Sequence, residues 1–207
     1  AILALALPIL LLALNMRLVT GHWFVRWEYR RESFPADPYG LSTSERIRLA
    51  EICQDYLASN APISMLVDLR LADGEPAFNQ RELEHMSDVQ NVYQGLSIAG
   101  VVAGLIWTGG IVVLTTLDSD GNALSRALRN GCVLTLGLLL LVGTFMLLSW
   151  GDFFTTFHRL FFHGDTWIFP NSDTLIRLFP IRFWIDIATT LVGLVIAEAL
   201  ILGSIGW

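Results

Sequence analysis

The sequence contains no lysine; all 13 basic residues are arginine. We read this as the codon bias of a GC-rich genome rather than a physical demand, although arginine does give always-charged, bidentate contacts with carboxylate and phosphate. Charge of either sign is scarce at 15% of residues, and the net charge is −6, so no basic face recommends nucleic acid as a partner. Two cysteines, Cys53 in a polar stretch and Cys132 in an apolar one, do not make a disulfide framework. There is no His-Glu-x-x-His motif and no serine or cysteine in a nucleophile motif. No glycine-rich phosphate loop is present either. Gly100, Gly104, Gly109 and Gly110 lie inside an apolar run and read as helix packing.

Apolar residues are what the chain has in quantity, 54% of the total with a mean hydropathy of +0.56. Four runs approach the roughly 20 residues that cross a hydrocarbon core of about 30 Å: Ile2–Val19, Leu96–Leu117, Val133–Trp150 and Ile185–Trp207. The first lacks a small-residue cleavage pattern, carries Arg17 near its end and is followed by Arg26, so we read it as a span and not a signal peptide. The chain opens on Ala, which leads us to expect further residues ahead of it. These runs predict an α-helical integral membrane protein, a four-transmembrane-helix bundle capped by a small extracytoplasmic domain between spans 1 and 2. The expected divisions are 1–20 (span 1), 21–94 (extracytoplasmic domain), 95–117 (span 2), 118–131 (cytoplasmic loop), 132–150 (span 3), 151–184 (extracytoplasmic aromatic segment) and 185–207 (span 4).

Sidedness rests on Arg126 and Arg129 in the short loop 118–131, which the positive-inside rule places in the cytoplasm despite Asp118 and Asp120. Both termini are then cytoplasmic. Within 21–94, Ser42-Thr-Ser-Glu45 has capping-box spacing and Leu49, Cys53, Tyr56 and Leu57 recur at helical spacing, so Thr43–Ala58 is predicted as an amphipathic helix. Ile63–Leu71 leans towards β and closes on the turn signal Ala72-Asp73-Gly74. Leu83, Met86, Val89 and Tyr93 mark one face of a helix that leads into span 2. The aromatics of 151–184 suit the water–lipid interface, but that does not explain the His158, His163, Asp165, Asp173 and Arg177 interleaved among them.

Span 2 leaves one membrane face and span 3 returns to it, so His85, just before span 2, and His158, just after span 3, arrive on one side. Glu82 and Asp88 lie three residues either side of His85, on neighbouring helical turns, and either can hold Nδ1–H and leave Nε2 as a base. His22 and His163 lack equal support. Zinc bound by His85, Asp88, His158 and His163 is the competing reading. Glu82-x-x-His85 has the spacing of di-iron bundles but no second copy. We assign no metal and no cofactor.

The motifs Phe78…Glu82-Leu-x-His85-Met-x-Asp88-Val and Phe157-His158-x-x-Phe161-Phe162…Trp167-x-Phe169…Asp173-x-Leu-Ile…Phe179-Pro180 resemble the bacterial four-span family typified by lipoprotein intramolecular transacylase. Glu28-Tyr29…Phe34-Pro-x-Asp37 extends the resemblance over nearly the whole chain. It implies a multi-pass protein of the bacterial cytoplasmic membrane, with membrane lipid and lipid-modified protein as partners. The implied reaction moves an acyl chain from the glycerol of a diacylglyceryl-cysteine to that cysteine's α-amine, with His85 and His158 as the catalytic positions. We take His85 as base and His158 as its acid or polarising partner, with the reverse order open, and Arg159 or Arg177 as oxyanion stabiliser. The alternative is a non-catalytic accessory subunit of a larger respiratory or photosynthetic membrane complex. In that case Asp186 and Glu198, carboxylates in or near a span, would look to neighbouring subunits for partners.

Overall fold

The computed structural model describes residues 1–117, 122–162 and 164–205. Its helices in chain order are α1 (Ile2–Val19), α2 (His22–Glu28), α3 (Thr43–Ala58), α4 (Ser64–Val67), α5 (Gln80–Leu117), α6 (Asn122–Leu148), α7 (Trp150–Phe161), α8 (Thr174–Leu178) and α9 (Ile181–Ile205). Among the described residues there is no strand, only an isolated antiparallel bridge between Arg70 and Pro76. Among the described residues four helices are long and apolar enough to cross a membrane: α1, α5, α6 and, over Ile181–Ser204, α9.

The 38 residues of α5 rise about 57 Å, nearly twice the thickness of a hydrocarbon core. Arg81, Glu82, Glu84 and Asp88 crowd its first turns, whereas 96–117 carries no charge. The spanning part is therefore the later one, and His85 belongs to the polar turns outside it.

The chain divides into two compact units. One comprises Ala1–Leu18, Leu96–Phe154 and Thr189–Trp207. Its core brings Leu7 and Leu11 of α1 against Ala103 and Trp107 of α5, Cys132 of α6, and Val195 and Ala199 of α9. Glycine makes the close approaches possible: a Cβ on Gly100 would run into Ala13, and one on Gly131 would lie 2.8 Å from Leu7 and 3.4 Å from the Ala4 backbone. Large apolar side chains such as Leu105, Leu140 and Leu147 point outwards, as lipid-facing residues do. Buried Asn15 donates to the Leu11 carbonyl at 2.9 Å and to Glu198 Oε2 at 2.6 Å, so the carboxylate of α9 is partnered inside this unit.

The second unit comprises Val19–Gly95 and Thr155–Ala188. Here α3 has the predicted bounds, and the Glu45 N–H donates to the Ser42 hydroxyl at 3.2 Å. Leu49, Cys53 and Tyr56 bury its apolar face with Leu66, Phe78, Leu83, Met86, Leu175 and Leu178. Gln90 and Gln94 of α5 donate to the carbonyls of Tyr56 and Leu57, both at 2.8 Å, closing the far end of α3. A second cluster joins Phe24, Val25, Tyr29, Ala50 and Phe183. Asp186 accepts from Arg31 at 3.1 Å and from Arg182 at 2.5 Å, and Arg31 also reaches Glu28.

Local structure departs from the expectation in places. The stretch read as β, Ile63–Leu71, contains α4, and only its end is extended. There Leu71 N–H donates to Glu75 and Ala77 N–H to Leu69 around Gly74, whose φ is +90°. A four-residue helix is too short to show a period. Asn122–Gly131, expected in the loop, is already helical in α6, and Gly131 and Cys132 are buried. Ser149 then interrupts the helix, its hydroxyl donating to the Asp152 carboxylate at 2.6 Å as α7 starts. Asp118 and Asp120, His163 and the terminal Trp207 expected in span 4 lie outside the described residues.

Candidate active site

Two short-range features set His85 in place. Asn79 and Glu82 cap the start of α5 reciprocally: Glu82 N–H donates to Asn79 Oδ1 at 3.1 Å, and Asn79 N–H to Glu82 Oε2 at 2.8 Å. One turn on, His85 lies on the buried face with Leu83 and Met86, 9% exposed. His158 occupies the last turn of α7 and is also 9% exposed, whereas its neighbours Phe157, Arg159 and Leu160 are exposed.

The two imidazole rings lie 6.1 Å apart, centroid to centroid, and are tilted by 20° from parallel. A bridging water or one reacting atom of a substrate fits that gap. Aromatic rings wall the pair: Phe162 is 4.9 Å from His85 and 5.5 Å from His158, Phe169 is 5.4 Å from His85, and Trp167 is 5.0 Å from His158. The Phe162 N–H donates to the His158 carbonyl at 2.8 Å, which ends α7 and turns this ring over the histidine. Burial among these rings, with His158 beside it, pushes His85 down to about 4, so its ring is neutral near pH 7. Its Nδ1 is buried with no partner, which leaves Nε2 as the nitrogen available to a ligand.

Neither expected orienter serves His85. The Glu82 carboxylate is 1% exposed and accepts backbone N–H groups, from Asn79 through Oε2 and from Leu175 through Oε1 at 2.7 Å. Burial raises the Glu82 carboxyl, Asp173 adds to that, and the backbone donors oppose it. Asp88 is half-buried and makes no hydrogen bond to His85. The oxyanion candidates also stand apart. Arg177 binds Asp37 through two hydrogen bonds of 3.0 and 3.2 Å, and Arg159 is exposed. Burial alone would raise the Asp37 carboxyl, but Arg177 and the Leu41 N–H hold it below its usual range. Outside this site, His22 pairs with Asp55 at 2.8 Å.

Among the described residues no group of three His, Cys, Asp or Glu side chains is arranged to hold a metal ion, and His163, which the zinc reading needs, lies outside them. Sequence reasoning passed over Phe162, Trp167 and Phe169 as members of an interfacial belt. The four-residue step from His158 to Phe162 was the available signal for one of them. It also missed Asn79-x-x-Glu82, whose capping-box spacing shows how the carboxylate is used.

The geometry can be set beside known proteins. A family model described as lipoprotein intramolecular transacylase Lit matches residues 1–184. An uncharacterised protein of Aquifex aeolicus (strain VF5) is 32% identical over 185 residues, covering 89% of this chain and 82% of that one. The solved structure of the membrane-integral lipoprotein intramolecular transacylase Lit from Bacillus cereus is similar with a TM-score of 0.81 at 19% identity, over 99% of this chain and 90% of that one. Two further structures of that protein, with a histidine replaced by arginine or by alanine, give 0.77 over 99% of this chain and 87% and 89% of theirs. At this identity the structural likeness is one of fold. With four membrane-spanning helices and a family match over most of its length, the chain belongs to the lipoprotein intramolecular transacylase family.

Proposed function

We propose that the protein is a membrane acyltransferase that moves an acyl chain from the diacylglyceryl group of a lipoprotein to the α-amine of its N-terminal cysteine. The observation that carries this reading is the paired imidazoles of His85 and His158, 6.1 Å apart within an aromatic wall. In the reaction the amine nitrogen bonds to the ester carbonyl carbon, the ester C–O bond breaks, and the amine's proton ends on the glycerol oxygen. Donor and acceptor belong to one lipid molecule, so holding them in contact supplies much of the rate.

The surroundings favour His158 as the base, the reverse of the first assignment. A ring held neutral near pH 7 is a weak proton acceptor but a good hydrogen-bond donor. His85 therefore presents Nε2–H to the ester carbonyl and keeps the Nδ1 lone pair buried, which costs less than burying an unpaired N–H. His158 takes the amine proton and returns it to the leaving glycerol oxygen. The positive charge it carries between those steps falls in the last turn of α7, where the helix dipole favours a cation. Arg126 and Arg129 support the extracytoplasmic side for the histidine pair, through the positive-inside rule.

The accessory-subunit alternative looked to Asp186 and Glu198 for exposed carboxylates in search of partners. Asp186 pairs with Arg31 and Arg182, and Glu198 with Asn15, so neither favours it. The test is mass spectrometry of a diacylated lipopeptide incubated with the purified protein. An N-acylated, glycerol-monoacylated product is expected from the wild type and not from folded His85→Ala or His158→Ala. Wild-type protein that gives no product, yet copurifies stably in a larger complex, would sink the enzyme reading.

A further inference from the structure

The end of α7 has three chemically distinct faces. At about 100° per residue, His158 and Phe162 share one sector, Thr156 and Arg159 a second, and Phe157, Leu160 and Phe161 a third. The first sector is buried against the histidine site. The other two are exposed, one polar and one apolar, and Leu160 is 75% exposed. The rings of Phe157 and Phe161 lie 4.9 Å apart, so they extend as one surface. The loop that completes the wall repeats the pattern: Trp167 and Phe169 turn to the histidines, and Ile168 between them is half exposed. Rings therefore line the inside of the wall, and large apolar side chains cover its outside.

An exposed apolar surface of this kind marks an interaction site, and its setting selects lipid as the cover. The chain reaches α7 directly from a span, since α6 ends at Leu148, and Leu147 and Leu148 are 90% and 81% exposed, as lipid-facing residues are. The same unit exposes Trp23 and Trp27 on α2, which follows α1, and Trp184 near the start of α9. Tryptophan beside the end of a span belongs at the headgroup level. The polar sector of Thr156 and Arg159 completes the two-sided pattern of a helix lying in the interface, with its cation among the headgroups.

We propose that α7 is an interfacial helix whose Phe157, Leu160 and Phe161 face, together with Ile168, docks in the hydrocarbon of the bilayer just below the headgroups. The docking itself needs no reaction, so it goes beyond the transacylase reading. Where that reading holds, the docked face carries His158 to the depth of the glycerol esters of membrane lipid.

Spin labelling of the full-length protein in phosphatidylcholine–phosphatidylglycerol vesicles tests the docking. Wild type, whose Cys53 and Cys132 are buried, sets the background. Every labelled position is exposed, and Leu160 and Phe161 give two readings of the apolar sector. Labels at Leu160→Cys, Phe161→Cys and Ile168→Cys should collide often with oxygen and rarely with a water-soluble nickel chelate. Labels at Thr156→Cys and Arg159→Cys should do the reverse, so the preference inverts with the period of the helix. Nickel collisions as frequent at Leu160→Cys and Phe161→Cys as at Arg159→Cys overturn the inference, because the face then lies in water. Shielding of those two labels from both reagents also overturns it, and spin–spin broadening would then identify a second copy as the cover. The measurement contains no substrate, so absent turnover counts against the transacylase reading and not against the docking face.

Discussion

The Glu82 carboxylate accepts the Leu175 backbone N–H at 2.7 Å, joining residues 93 apart in sequence. The same side chain caps its own helix at Asn79, so one carboxylate holds the first turn of α5 and the first turn of α8. The aspartate at the α8 N-cap, Asp173, makes no side-chain cap of its own, and Glu82 takes that part from across the fold. The segment between His158 and Leu175, which carries Phe162, Trp167 and Phe169, is thereby pinned one turn from His85.

Glu82→Ala leaves two backbone N–H groups without their acceptor. A buried donor stripped of its partner costs about 1–3 kcal/mol, so we expect a clearly lower Tm in detergent. Glu82→Gln keeps one carbonyl oxygen and should lose less. A Glu82→Ala protein as stable as wild type would show that α8 does not depend on this contact.

Glu28 supplies a pH test of stability. Burial, then Asp186, raises its carboxyl to about 7, with Arg31 opposing and Arg182 held on Asp186. A carboxyl raised in the folded state gives stability that is full below its unfolded value, near 4.3, and lost as pH rises through the folded value. The difference in Tm between wild type and Glu28→Gln should therefore move against wild type from pH 5 to about 7.5. Taking the difference cancels His85, whose depressed value works the other way. A difference that stays flat over that window contradicts the buried, protonated Glu28.

Where neighbours in sequence decide a structure, the sequence was readable. Ser42 and Glu45 fixed the start of α3 because capping is a contact across three residues. The meeting of His85 and His158 followed from hairpin topology, and needed only that span 3 return to the face span 2 had left. The aromatic wall was hidden because Phe162, Trp167 and Phe169 sit in a segment whose composition equally suits a lipid interface. The acceptor role of Glu82 was hidden because Leu175 N–H is a backbone group, present at almost every position and so without a signature.

The wall should also control the protonation of His85. NMR titration of labelled histidine should show the His85 ring neutral down to about pH 4 in wild type. Phe169→Ala, which removes a ring 5.4 Å from it, should admit water and move the midpoint up towards the ordinary 6.5. A wild-type midpoint near 6.5 would remove the case for His85 as a neutral donor and restore it as a candidate base.

The central claim is that His85 and His158 form one site for acyl transfer, and a double-substitution cycle on lipopeptide N-acylation tests it most directly. Each single alanine variant should lower kcat about 10²–10⁴-fold. The double variant should be little worse than the poorer single one, as for groups that act as a unit. Wild-type turnover in either folded single variant, or losses that multiply in the double, would contradict a shared site.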